Sequence, residues 1–212
     1  MLGLAFVGFI FSLLVSLLLI RHARRHALQY ADGLPQRFHV GHIPRVGGVA
    51  IFTGVVFGVL AGPVLHAMGV STNIPLTFKD WALWCVVLAP IVAGGVYEDL
   101  TARLSARWRL LITGGAALLA CWVMGLNVPR LGIGWIDAFW MSMPFLGVAL
   151  AFIGLAGLPH ALNIIDGFNG LAGIVTALIC LALAHVSLQV GDRQIAAFML
   201  VTVGATAGFL YW

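Results

Sequence analysis

The chain has 212 residues, 62% hydrophobic and only 8% charged, with a formal net charge of +4 and a pI near 9.4. Ordinary soluble domains carry about 25% charged residues, so this composition excludes a soluble globular protein and implies an integral membrane one. The basic residues are few and sit in connections between apolar runs, which fits membrane topology better than a nucleic-acid partner.

A helix needs about 20 apolar residues to cross a hydrocarbon core of roughly 30 Å. Seven runs approach or reach that length: 2–20, 46–68, 81–97, 110–126, 140–159, 171–189 and 194–212. The expected fold class is therefore an all-α, polytopic transmembrane helix bundle forming a single domain over 1–212. The first run has no basic residues before it and no small-residue cleavage pattern after it, so it reads as a retained span and not as a signal peptide.

The connection 21–45 carries Arg21, Arg24, Arg25, Arg37 and Arg45. Within it, "DGLPQRFHVGHIPRVGGVAIF" brings Asp32, Arg37, His39, His42 and Arg45 up to Gly47 and Gly48, which open the second span. One reading is a basic membrane anchor with a glycine-softened helix start. The other is a phosphate-facing loop, since arginines and a helix N-terminus both favour anions.

After the third span, "GGVYEDLTARLSARWRLL" places Glu98 and Asp99 at a membrane boundary, followed by Arg103, Arg107 and Arg109. Adjacent carboxylates there are costly unless they are paired or used. A divalent cation with phosphate, or a base of raised pKa, would use them; an Asp99–Arg103 pair four residues apart on a helix would merely satisfy them. The next connection, "VPRLGIGWIDAFW", mixes Gly, Pro and aromatic residues as an interfacial loop does.

The last polar stretch is "LPHALNIIDGFNGLAG", residues 158–173. Asn163 and Asp166, three apart, would share a helix face, with Gly167 and Gly170 opening the backbone beyond. Their oxygens are hard ligands suited to magnesium, although a helix end satisfying its own backbone groups would use the same residues. His160 and His185 read as interfacial hydrogen-bonding groups, and Cys85, Cys121 and Cys180, all within apolar runs and without metal-ligand spacing, read as packing residues.

Eight of the eleven basic residues fall in the connections 21–45 and 98–109, leaving Lys79, Arg130 and Arg193 opposite. The positive-inside rule puts the first set in the cytoplasm and the N-terminus outside. All three polar clusters then face the cytoplasm.

His39 with "IPRVGG", the acidic pair followed by "LSARWRLL", and "NIIDGFNGLAG" together resemble the polyprenyl-phosphate N-acetylhexosamine-1-phosphate transferase family, of glycosyltransferase family 4 type. The last motif is the most specific, with Asn163, Asp166, Gly167, Gly170 and Leu171 on its signature. The resemblance implies transfer of a sugar-1-phosphate from a UDP-amino sugar to polyprenyl (undecaprenyl) phosphate with release of UMP, in the bacterial inner membrane, initiating cell-envelope glycan or O-antigen synthesis. It implies Mg2+, with Mn2+ as a substitute, and a homodimer as a candidate assembly. Glu98, Asp99 and Asp166 take catalytic roles in this reading, His39, Arg45, Gly47, Gly48, Arg103 and Asn169 bind substrate, and Asn163 and Asp166 hold the metal.

Two departures stand out. The family's Asp-Asp dyad is Glu98-Asp99 here, one methylene longer at its first position. The family's roughly ten spans and a later GDxGS-type motif extend past Trp212, so the chain is expected to be the N-terminal part of such a fold. A truncated scaffold without activity and a small transporter are the rival classes; a transporter predicts carboxylates at mid-span.

Overall fold

The computed structural model describes residues 1–27, 46–69, 74, 76–101, 103–166 and 168–212. Among these residues the structure is all helical, with eight helices: α1 (Leu2–Ala27), α2 (Gly47–Ala67), α3 (Phe78–Thr101), α4 (Ala106–Met124), α5 (Gly134–Ser142), α6 (Pro144–Ile165), α7 (Leu171–Gln189) and α8 (Arg193–Leu210). Six of them, α1, α2, α3, α6, α7 and α8, are long and apolar enough to cross a membrane. The protein is a multi-pass membrane protein.

The seventh expected span, 110–126, is α4. It is helical over 19 residues, but Arg107 and Arg109 in its first turn hold its mean hydropathy below that of the other six. The connection expected as an interfacial loop contains the nine-residue α5. The fifth span starts at Pro144, not 140, because Met143 leaves helical geometry at φ −127° and ψ 77°, and proline restarts the helix at its first turn, where no backbone donor is needed.

Helix ends carry their own signals. Before α3, Thr77 and Asp80 bond reciprocally: the Thr77 N–H and hydroxyl donate to the Asp80 carboxylate, and the Asp80 N–H donates to Thr77 Oγ1 at 3.2 Å. Asp192 caps α8 by accepting from the Ile195 N–H at 2.9 Å. α7 starts after Gly170 at φ 76°, a left-handed geometry that glycine adopts without steric cost.

Helices α1, α2 and α8 pack with almost no space between backbones. α8 runs parallel to α1 in one steady register. A Cβ on Gly204 would meet the Ala5 carbonyl, one on Gly208 would meet the Phe9 carbonyl, and Trp212 Nε1 donates to the Leu13 carbonyl at 3.3 Å. α2 runs antiparallel to both, with Gly54 against Gly8 and Ala205, and Gly58 against Val201 and Leu4. Small residues at such crossings allow the backbone contact that drives helix association in lipid, where hydrophobic burial contributes little. α7 completes this group against α8.

α3 joins the group through Trp81, whose Nε1 donates to the Val56 carbonyl at 3.2 Å, and through Trp84 stacked on Phe198 with centroids 4.3 Å apart. α3, α4 and α6 then form a second, looser layer. Its outer faces carry exposed residues such as Leu118, Trp122 and Ile153, apolar side chains whose natural solvent is lipid.

Candidate functional site

Because consecutive long helices alternate in direction, the end of α1, the start of α2, the end of α3, the start of α4, the end of α6 and the start of α7 belong to one side of the bundle. Gly47, Gly48, Glu98, Asp99, Asn163 and Asp166, described residues of the three polar clusters, are at these ends. The carboxylates Glu98, Asp99 and Asp166 are thus all at helix termini on that side, and none is at mid-span.

The α3–α4 hairpin folds back so that Glu98, near the end of α3, meets Arg109 in the first turn of α4. Their Oε1 and Nη1 atoms lie 3.1 Å apart, with the side chains about one third exposed. The partner that meets Glu98 is thus eleven residues away across a turn. Asp99 is half-buried beside it. At the turn itself, Thr101 Oγ1 donates to the Tyr97 carbonyl at 2.7 Å and accepts the Arg103 N–H at 3.3 Å, leaving the Arg103 side chain exposed.

α4 is tied to α6 by a part-buried polar contact. Thr113 Oγ1 lies 3.0 Å from His160 Nε2, and also 3.0 and 3.1 Å from the carbonyls of Arg109 and Leu110. His160 therefore has an interhelical partner, consistent with its reading as a hydrogen-bonding group. Asn163 follows one turn later on α6.

Asn163 lies in the last turn of α6, and Asp166 three residues later is the residue at which that helix ends. α6 ends at Ile165, and Asp166 is its C-cap with φ −72° and ψ 62°, so the chain leaves the helix at that residue. Both side chains are exposed at the same helix end, as is Asn169 in the turn before α7. Gly170 and Leu171 begin α7 from that turn.

Gly47 and Gly48 open α2 as expected. A Cβ on Gly47 would lie 2.5 Å from the Phe209 ring of α8, so its close approach is to a neighbouring helix, whereas Gly48 is exposed with nothing within 4 Å. His39, Arg45 and Gly167 lie outside the described residues. His185 is exposed near the opposite end of the bundle, its Nε2 2.9 Å from Gln189 Nε2.

Among the described residues, no three His, Cys, Asp or Glu side chains gather closely enough to hold a metal by themselves. The oxygens of Asn163 and Asp166 fit a magnesium ion in a narrower sense. That ion usually takes one or two carboxylates and completes its shell with water and substrate phosphates.

Sequence reading missed Arg109 as the partner of Glu98, and Thr113 as that of His160. A threonine within the apolar run 110–126 was a visible signal, but both pairings depend on how the helices fold back on one another.

Comparison with known proteins follows the same residues. The family described as Glycosyl transferase family 4 matches residues 81–212, which include both the acidic pair and the 158–173 stretch. The chain is 30% identical, over 97% of its length and 54% of the relative's, to a protein of Bacillus subtilis (strain 168) named "Probable undecaprenyl-phosphate N-acetylglucosaminyl 1-phosphate transferase". Two proteins named "Phospho-N-acetylmuramoyl-pentapeptide-transferase" are also similar. That of Bartonella quintana is 27% identical over 86% of this chain and 54% of its own, and that of Thermosynechococcus vestitus is 31% identical over 85% and 45%. The chain therefore spans about half the length of the curated relatives it matches. No solved structure matches it. With more than half of its residues matched, including two of its three polar clusters, the chain belongs to glycosyl transferase family 4.

Proposed function

We propose that the protein takes part in transfer of an N-acetylhexosamine-1-phosphate from a UDP-amino sugar to polyprenyl (undecaprenyl) phosphate at the cytoplasmic face of a bacterial inner membrane. The observation that carries this reading is the family match over residues 81–212, because it spans the one side of the bundle where Glu98, Asp99, Asn163, Asp166 and Asn169 are found. The names of the three relatives support transfer of a phosphorylated amino sugar, and that of the Bacillus subtilis relative supports undecaprenyl phosphate as the acceptor.

In the reaction, an oxygen of the lipid phosphate attacks the phosphorus that bears the sugar. A new P–O bond forms, the bond to the uridylyl phosphate breaks, and UMP leaves. Both reactants are anionic, so the main task is to bring negative charges together and hold them in line. Arg103, exposed at the α3–α4 turn, and His39 and Arg45 supply positive charge or donors to phosphate oxygens. A lipid phosphate monoester has a second pKa near 6 and is largely dianionic at neutral pH, so positioning matters more than removal of its proton.

Asn163 and Asp166 would hold Mg2+, which when bound neutralises the diphosphate charge as a Lewis acid. Asp99, half-buried at the end of α3, orients the attacking phosphate. Glu98 has a second task, since its ion pair with Arg109 also fastens α3 to α4. The grouping of Glu98, Asp99 and Asp166 at helix ends favours this reading over a transporter, which would use acidic groups along its path.

The test is an assay of membranes from cells expressing the gene, supplied with labelled UDP-N-acetylglucosamine and undecaprenyl phosphate. The expected result is a lipid-linked sugar diphosphate with equimolar UMP, lost on adding EDTA and lowered at least a hundredfold in Asp166→Ala. Turnover that persists in EDTA, or in Asp166→Ala, would overturn the metal-centred arrangement.

A further inference from the structure

The contact between Thr113 and His160 lies outside the residues assigned above, yet it connects two of them. Thr113 is 8% exposed, two turns into α4, and faces His160 across 47 residues of sequence. A threonine hydroxyl has one hydrogen and two acceptor lone pairs. The hydroxyl oxygen lies 3.0 and 3.1 Å from the Arg109 and Leu110 carbonyls, which can only accept, so its hydrogen is directed to them. With the hydroxyl so directed, a lone pair is left to accept from His160 when its Nε2 carries the hydrogen.

On one side of this bond is the turn of α4 that presents Arg109 to Glu98 at 3.1 Å. On the other is the last turn of α6, which ends in Asn163, Ile164, Ile165 and the C-cap Asp166, all exposed. Within this chain, α4 is the main neighbour of α6, and the Thr113–His160 contact is the side-chain hydrogen bond recorded between them. Glu98, Arg109, Thr113 and His160 thus form a line of contacts from the end of α3 through α4 to the end of α6.

Resting on the transferase reading given above, we propose that Thr113 and His160 are positioning residues of that site. Their bond sets the last turn of α6, and with it Asn163 and Asp166, relative to Glu98 and Asp99. Displacement of about 1 Å at a reacting site can lower a rate about a hundredfold. Removing the Thr113 hydroxyl leaves the His160 ring nitrogen without this partner, a loss of stability that is real but modest for a single neutral hydrogen bond. The signature of a positioning role is therefore loss of rate without loss of folded protein.

The experiment compares Thr113→Val, Thr113→Ser and the unaltered protein, each purified with 15N-labelled histidine. Thr113→Val is expected to lower kcat about tenfold or more, with KM for the sugar nucleotide little changed, the unfolding temperature lowered by only a few degrees, and the protein fully folded at the assay temperature. Thr113→Ser, which keeps the hydroxyl, should restore most of the rate. The ring nitrogens of His160, assigned by their loss in His160→Asn, should move in Thr113→Val and stay in place in Thr113→Ser. Unchanged ring shifts and kcat in Thr113→Val would overturn the proposal, as would a rate loss that only follows loss of folded protein. Because the ring shifts do not depend on turnover, they separate the two readings: shifts that move in a protein showing no transfer at all would overturn the transferase reading, and this role with it, while the bond itself stood.

Discussion

Gly54 offers the sharpest test of how the first layer is held. A Cβ at this position would stand 2.6 Å from the Gly8 carbonyl oxygen and 2.8 Å from the β-carbons of Ala205 and Ser12, where ordinary contact starts near 3.4 Å. Two of these neighbours lie on α1 and one on α8, and none is the far end of a flexible side chain. Gly54→Ala therefore forces α2 away from both partners by about 0.6–0.8 Å. A gap of that size forfeits about a quarter to a half of each dispersion contact along the crossing, and overpacking of this kind costs about 1–3 kcal/mol. For a chain of this size that corresponds to a fall of roughly 2–12 °C in unfolding temperature. The assay is thermal unfolding of the detergent-solubilised protein followed by monodisperse recovery. Gly115→Ala is the control, since a Cβ on Gly115, within α4, meets nothing within 4 Å. That variant should be neutral or slightly stabilising, because alanine is the better helix former by about 1 kcal/mol. Equal unfolding temperatures for the two variants would refute the close-packing argument.

Two further outcomes follow from the site. Glu98→Gln and Arg109→Met, made singly and together, should show a coupling of about 1 kcal/mol or less in stability, because the pair is about one third exposed and screened by solvent; a thermal-unfolding double-mutant cycle measures it, and a coupling of several kcal/mol would mean the pair is buried in the membrane. Gly170→Ala should destabilise the protein by about 1–2 kcal/mol, since residue 170 sits at φ 76° and a side chain there crowds the following carbonyl; Gly170→Asn should cost less, and indifference to both would argue against a left-handed start to α7.

Much of this protein is legible in its amino-acid sequence. The apolar runs require helices, because lipid offers no partner for an unbonded amide and only helices or closed barrels cross it. The uneven placement of arginines sorts the loops onto two sides, and the alternation of helices α1 to α8 gathers the same connections at one end. Gly170 and the Thr77–Asp80 and Asp192 caps are local features whose chemistry depends on neighbours within a few residues. Residues that act locally can be assigned from their own neighbourhood.

The partners are another matter. Nothing in the spacing of Glu98 identifies Arg109, because an i, i+4 count applies along one helix and the ion pair forms across a hairpin turn. Nor does the spacing place Asp166 outside α6, since the break depends on ψ at a single residue. The pairing of Thr113 with His160, and the backbone contact of Gly204 and Gly208 with α1, both require knowing which helix faces which. Apolar periodicity carries little of that information in a membrane protein, because lipid and protein are nearly equivalent solvents for a leucine. The apolar runs alone assign the all-helical membrane class and indicate which connections share one end of the bundle; which polar groups meet is visible only in the folded chain, because those contacts are set by small-residue packing and single hydrogen bonds between helices distant in sequence.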